Sequence, residues 1–165
     1  HSFCCPDMIR HVKDQLSGLD PGRVQFAAGS SHLGHLWSVQ QCDLMLDPFP
    51  HGGGTAALEQ IWMGVPIVTL HGNQAGGRTT ASILGCMGRP GWVAHSQEEY
   101  SAKAVRWVVD PSCLVEAAEV RKTLRKELLD SPAVKGYVAA VEEAYRAMVK
   151  EKLCAMPTRE VECAS

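Results

Sequence analysis

The stretch "DLMLDPFPHGGGTAALEQIWMGVPIVTL", residues 43–70, decides how the rest of the chain is read. It runs from an apolar segment ending at Pro48, through His51 and the consecutive glycines Gly52, Gly53 and Gly54, into a helical pattern over 55–63. Gly64 closes that pattern, and a second apolar segment follows over 65–70. Val65 to Leu70 is rich in β-formers, and Pro48 ends the earlier strand because proline supplies no ladder N–H. Strand, helix and strand in this order belong to a parallel sheet covered by helices. An ordinary turn needs one glycine, so three at the entry to a helix call for another explanation. In open α/β sheets, ligands bind at the carboxyl ends of the strands. A helix start has unpaired N–H groups and the positive end of the helix dipole. Glycine lets the backbone come close to a ligand and take φ > 0. Together these describe a seat for a phosphate or diphosphate. Thr55 is placed either to cap the helix or to donate its hydroxyl to a phosphate oxygen. A tight structural turn without a ligand explains the same residues. A Walker-type loop does not, because no Gly-Lys-Ser/Thr follows, and the dinucleotide GxGxxG pattern is absent.

A second glycine-rich loop, "HGNQAGGRTTAS" over 71–82, follows the next strand, and parallel neighbours present both loops at one sheet edge. Arg78 opens the helix after it. An arginine there can hold a diphosphate through its fork of donors, or make a surface salt bridge. Thr79, Thr80 and Ser82 are hydrogen-bond donors or simply helix-start residues. Glu59 lies four residues after Thr55 on the same helical face, where it can accept from a pair of sugar hydroxyls or stand solvated. Upstream, "SSHLGHLWSVQQC" over 30–42 reads as a short helix despite Gly34. His35 near its start can stack on a base, bond a ribose, cap or pack, and His32 has the same options. His51 and His71 each leave a strand end and face one cleft.

The flanks are more generic. A helix is predicted over 7–19, with Met8, Ile9, Val12, Leu16 and Leu19 apolar, followed by a turn at 19–22 and a short strand over 23–28. Further on come a short strand at 91–94, a capping box of Ser96 and Glu99, and a charged amphipathic helix over 113–130. Ser131-Pro132 opens a last long helix with Val134, Val138, Val141, Tyr145 and Met148 on one face, and past Pro157 a loose tail is expected. The predicted order is helix, about four strand–helix units and a helical tail. The 165 residues suffice for a domain with a real core, and 45% hydrophobic with 21% charged residues is a globular composition. A net charge of -2 gives no support to a nucleic-acid binder. No apolar run approaches the roughly 18 residues of a membrane helix. The seven cysteines form no CxxC and no HExxH is present, so free thiols in a reducing compartment and no metal are expected. Cys42 and Cys86 sit among apolar neighbours and read as small core residues. The opening "HSFCCPDMIR" lacks an initiator Met and reads as the interior of a longer protein.

"LDPFPHGGGTAALEQIWMGVPIVTLHG" followed by "GGRTTASIL" resembles the carboxyl-terminal catalytic half of the O-linked N-acetylglucosamine transferase family, whose bacterial relatives are fused to tetratricopeptide repeats. It is also similar to the cytoplasmic N-glycosyltransferases that glycosylate adhesins. The likeness covers roughly residues 7 to 150, and the block over 43–82 is the distinctive part. The resemblance implies an α/β fold: a partial Rossmann-like carboxyl-terminal domain of a two-domain GT-B glycosyltransferase over 1–110, carboxyl-terminal helices over 111–155, and a flexible tail over 156–165. It implies a UDP-GlcNAc-dependent inverting transferase acting on Ser/Thr of protein acceptors. The alternatives are an N-glycosyltransferase using UDP-glucose and a non-catalytic nucleotide-binding half-domain.

By the same resemblance, His35 matches the histidine beside the uridine, and Ser30 and His32 match positions around the base. The animal enzymes have lysine at the position of His32. Gly53, Gly54, Thr55 and Ala56 fall on the diphosphate-binding helix start. Gly54 stands where the animal enzymes have histidine, and Ala56 where they have a second threonine. Glu59 matches the acidic residue that holds the ribose, and Arg78 an arginine of the next loop. Arg78 and Thr55 are expected to stabilise the leaving group. No metal or other cofactor is required. The family's base and its phosphate-binding lysine precede this segment and have no counterpart here, as do two central strands expected between those at Val24 and Asp43. The remainder of the catalytic region and a protein acceptor are the implied partners, with no nucleic acid and no membrane. The expected location is cytoplasmic or nucleocytoplasmic.

Overall fold

The computed structural model describes residues 5–27 and 31–155. Its centre is a parallel three-stranded sheet in the order β1 (Met45–Leu46), β2 (Ile67–Leu70), β3 (Val93–Ala94). Met45 pairs with Ile67 and Leu46 with Val68; Thr69 pairs with Val93 and Leu70 with Ala94. The central strand is covered on both faces, with Ile67 and Val68 fully buried and Thr69 almost so. Parallel neighbours need crossovers, which α3 (Thr55–Trp62) and α4 (Thr79–Cys86) provide. The short helix α2 (His32–Gln40) precedes β1, and α5 (Gln97–Val109) follows β3. Two long helices, α6 (Pro111–Asp130) and α7 (Pro132–Ala155), complete the order after α1 (Pro6–Gln15).

The core forms where α3, α4 and α6 meet the sheet. Ala57 and Ile61 of α3, Leu84 of α4, and Val120, Leu124 and Leu128 of α6 are buried together with Ile67, Trp92 and Val93. Gly64 makes the α3–α6 contact possible. Its φ is +79°, and a Cβ there would lie 2.5 Å from the Arg121 carbonyl oxygen. On the other flank, Arg89 donates Nε and Nη2 to the two oxygens of Glu127 at 2.9 and 2.7 Å, tying the loop before β3 to α6. That hydrogen bonding holds the Glu127 carboxyl below its ordinary value. Cation–π contacts add to the same joint, Arg89 over Trp92 at 5.1 Å and Arg125 over Trp62 at 3.8 Å. At α5 the predicted Ser96–Glu99 pair caps the helix, with the return bond reaching His95, one residue before the N-cap, in place of the Ser96 N–H. Ser96 Oγ accepts from the Glu99 N–H at 3.1 Å, and Glu99 Oε2 accepts from the His95 N–H at 2.7 Å.

Several sequence expectations are corrected. The strand expected over 23–28 does not form among the described residues. Pro21–Arg23 is a 3-10 turn, and Val24 keeps extended dihedrals (φ -113°, ψ 116°) without a ladder partner. The described sheet thus has three strands where about four strand–helix units were expected. Cys42 and Cys86 are exposed, and among the described residues Cys113 is the buried thiol, because α6 turns it into the core. The apolar stripes of the terminal helices are only partly covered. Ile9, Val12 and Val141 are half-buried, while Met8 on α1, Leu16 just past it, and Val134, Val138, Tyr145 and Met148 on α7 stand exposed. Among the described residues no helix is long and apolar enough to cross a membrane.

The Gly64 contact gives the fold its sharpest test. Gly64→Ala puts a Cβ at a positive φ and against backbone that cannot swing away, so a loss of more than about 1 kcal/mol is expected. Urea unfolding of the variant beside the unsubstituted protein measures it, and a loss within a few tenths would contradict the packing described.

Candidate functional site

The carboxyl end of β1 delivers Asp47, whose side chain is almost wholly buried. A buried carboxylate is costly unless its oxygens are engaged. One oxygen accepts from the Gly53 N–H at 2.8 Å and the other from the Thr69 hydroxyl at 2.7 Å. The Asp47 carbonyl accepts from the Tyr100 hydroxyl at 3.0 Å, and the Tyr100 ring stands edge-on to Phe49 at 5.5 Å. Burial pushes the Tyr100 hydroxyl pKa up, with the Asp47 charge adding to it. Strand ends and α5 therefore hold the start of the glycine loop from below.

The glycines answer to this crowding. A Cβ on Gly53 would lie 3.0 Å from Asp47 Oδ1, and one on Gly52 3.1 Å from Asp47 Oδ2. The second glycine loop interlocks with the first through the Gly52 N–H, which donates to Gly76 O, and is itself closed by the Gly72 N–H on Gly77 O, both at 3.1 Å. A Cβ on Gly77 would reach 2.6 Å from Pro50 O, and one on Gly76 2.7 Å from the His51 ring. Gly54 has φ +49° and ψ -110°, a conformation that favours glycine. It is the N-cap of α3, with no side-chain cap, so Thr55 stands exposed at the first helical position and does not cap.

This settles which amides are available. The Gly53 N–H is taken by Asp47, and the Ala56 N–H donates to Gly53 O at 2.9 Å. The amides of Gly54 and Thr55 have no acceptor among the described residues. Beside them lies a cluster from α2 and α3. His32 Nε2 is 2.9 Å from Glu59 Oε1, and His35 Nε2 is 3.2 Å from Glu59 Oε2. The hydrogen bond with His32 is the largest of the effects that lower the Glu59 carboxyl pKa, with the charges of both histidines contributing. Three residues singled out in the sequence, 27 positions apart at the extremes, thus converge. A groove of about 390 Å³ lined by His32, Thr55, Leu58, Glu59, Trp62 and Leu128 opens on this side.

On the other side of the glycine loop, a cleft of about 600 Å³ lies over the ends of β2 and β3, lined among others by His51, His71, Asn73, Gln74 and His95. The His71 and His95 rings are 5.5 Å apart. Arg78 ends the 3-10 turn Ala75–Arg78, and its Nη1 donates to Asn73 O at 2.7 Å. In this structure it braces its own loop. Thr79 packs its methyl 3.9 Å from the position of a Cβ on Gly54. Ser30 lies outside the described residues. Among the described residues no group of three or more His, Cys, Asp or Glu side chains is arranged to hold a metal ion.

Residues 5–140 match glycosyl transferase family 41. The chain belongs to that family. Similar relatives include a protein of Hordeum vulgare described as a probable UDP-N-acetylglucosamine–peptide N-acetylglucosaminyltransferase, SPINDLY, 33% identical over 152 residues, which are 88% of this chain and 16% of the relative. A UDP-N-acetylglucosamine–peptide N-acetylglucosaminyltransferase of Caenorhabditis elegans is 33% identical over 93 residues, 56% of this chain and 8% of the relative. Among solved structures, a mutant O-GlcNAc transferase of Thermobaculum terrenum superposes with a TM-score of 0.79 at 30% identity, covering 88% of this chain and 28% of that one. The chain thus spans about a sixth of the curated SPINDLY relatives. Its fold is part of a Rossmann-like domain of the GT-B architecture, with carboxyl-terminal helices.

Asp47, Thr69, Tyr100 and His95 were not singled out from sequence. Asp47 reads there as an ordinary strand end, since its partners lie 22 and 53 residues away. The His32–Glu59–His35 cluster carries one pH signature. Glu59's folded carboxyl pKa is lowered, so its contribution is present above the ordinary glutamate value of roughly 4.3 and is lost as pH falls through the lowered one. In a His32→Ala variant the Glu59 carboxyl is expected to titrate at higher pH, followed by NMR of the side-chain carboxyl. An unmoved titration would break the pairing.

Proposed function

We propose that the complete protein is a UDP-GlcNAc-dependent inverting glycosyltransferase acting on Ser or Thr of protein acceptors, with this chain supplying the donor seat. One observation carries the reading: the two unengaged amides of Gly54 and Thr55 at the start of α3, flanked by the Glu59–His32–His35 cluster. Amides at a helix start favour a diphosphate. Glu59 is within reach of a ribose bound beside them, and His35 offers a ring to the base. The hexosyl group then extends toward the cleft of His51, His71 and His95, on the far side of the glycine loop.

Transfer builds negative charge on the departing UDP. Fixed dipoles aimed at that charge lower the barrier without reorganising. The Gly54 and Thr55 amides and the α3 dipole fill this role, and the Thr55 hydroxyl adds a donor. Arg78 contributes its charge from the adjacent loop. The acceptor hydroxyl's proton goes to a base outside this chain, in the remainder of the catalytic region. Solved and curated relatives bearing N-acetylglucosaminyltransferase names support GlcNAc over other hexoses. The cysteines, none arranged as CxxC, and the lack of a long apolar run support a cytoplasmic setting.

Calorimetry of the complete protein with UDP, UDP-GlcNAc and UDP-glucose tests the donor, and UDP-GlcNAc is expected to bind more tightly than UDP-glucose. Glu59→Ala is expected to weaken UDP binding about ten-fold or more, the scale of a lost hydrogen bond to a charged group. Unchanged affinity would remove Glu59 from the ribose. The 165-residue chain by itself is expected to show no turnover, since the base is assigned to the remainder of the catalytic region; measurable transfer would relocate the chemistry.

A further inference from the structure

We propose that Asp47 is the positioning residue of the phosphate seat, a role that rests on the donor-binding reading above. The chain of constraint starts at its carboxylate. Asp47 Oδ1 holds the Gly53 N–H at 2.8 Å while Oδ2 is held by the Thr69 hydroxyl at 2.7 Å. Gly53 is also held at its other end, because its carbonyl accepts from the Ala56 N–H at 2.9 Å. In a planar trans peptide the N–H points opposite to the preceding C=O. With the Gly53 carbonyl turned into the helix, the Gly54 N–H must point out of it. The Gly54 carbonyl accepts from the Leu58 N–H at 3.2 Å, and the same rule turns the Thr55 N–H outward. Asp47 anchors the residue whose carbonyl sets the first of these directions, and so ties to the end of β1 two amides that it does not touch.

Space enforces the arrangement. Gly53 approaches Asp47 so closely that a Cβ would sit 3.0 Å from Oδ1 and 3.4 Å from the Met45 methyl. The carboxylate has no exposure to speak of, so no ligand reaches it. Its effect on a bound diphosphate runs through the backbone alone. A carboxylate, with two strong acceptor oxygens, suits a position that must take one amide and one hydroxyl at once.

The test compares UDP with uridine by calorimetry in the complete protein. Uridine uses the base and ribose seats at His35 and Glu59, and UDP adds the phosphates. Asp47→Ala is expected to weaken UDP binding at least ten-fold and leave uridine binding within twofold. Asp47→Asn, which keeps an acceptor for Gly53, is expected to restore most of the UDP affinity. A general loosening of the fold would weaken both ligands together and would overturn the positioning role. So would an Asp47→Ala protein that keeps the full preference for UDP. If Asp47→Ala does not fold, Thr69→Val and Thr69→Ser carry the test. Valine should cost UDP at least threefold with uridine unchanged, and serine should restore it; UDP affinity unchanged by valine overturns the proposal. If the unsubstituted protein binds UDP no more tightly than uridine, there is no phosphate seat at α3, and the donor reading falls together with this one.

Discussion

The two glycine loops fit together only because one buried carboxylate stands between β1 and β2. Asp47 reaches one hydrogen bond forward to Gly53 and one sideways to Thr69, and its carbonyl receives Tyr100 from α5. Three separate parts of the chain are thereby referred to one point. A charge taken out of water is tolerated only when its lone pairs are used, and here both oxygens are. The compact approach of Gly52 and Gly53 follows, and with it the interlock with Gly72, Gly76 and Gly77. Along this rim the contacts leave no room for side chains at these glycines.

The rim is divided by α3. On one side are imidazoles paired with Glu59 and an adjoining groove with an apolar floor; on the other is a polar cleft with three imidazoles at the ends of successive strands. A ligand with a flat base and sugar at one end, charge in the middle and hydroxyls at the other matches that sequence of surfaces. The behaviour of Arg78 fits the same division. It spends a donor on Asn73 O, and so stabilises the shape of the second loop as well as lending charge to it.

Much of this was legible in residues 43–82. The period of the apolar residues and the Pro and Gly boundaries located β1, α3, β2 and α4, and Thr55-to-Glu59 spacing on a helix predicted a shared face. His32, His35 and Glu59 were individually legible, while their pairing was not, because helix-to-helix packing between α2 and α3 decides it. Asp47 was illegible for a related reason: nothing local distinguishes a strand-end aspartate whose partners arrive from β2 and α5. The purpose of the glycines was read as closeness to a ligand. For Gly52, Gly53, Gly76 and Gly77 the closeness is to the protein itself, and Gly54 is the one whose backbone angles demand glycine. Cys42 and Cys86 misled because apolar sequence neighbours do not fix which way a residue just past the end of α2, or at the end of α4, faces. The strand at Val24 failed for want of a partner, since extended dihedrals become a strand only when a ladder forms beside them.

The outer edge of β1 has a consequence of its own. β2 occupies one side of it, and among the described residues the other side offers its backbone groups to no strand. An edge of this kind accepts any extended segment within reach. A segment joining in the same direction as the other three would end at the level of Asp47, and the turn that follows it would hang over the outward-facing amides of Gly54 and Thr55. The side chain that leads such a turn would stand beside the glycine loops, contributed by sequence remote from every residue that forms them.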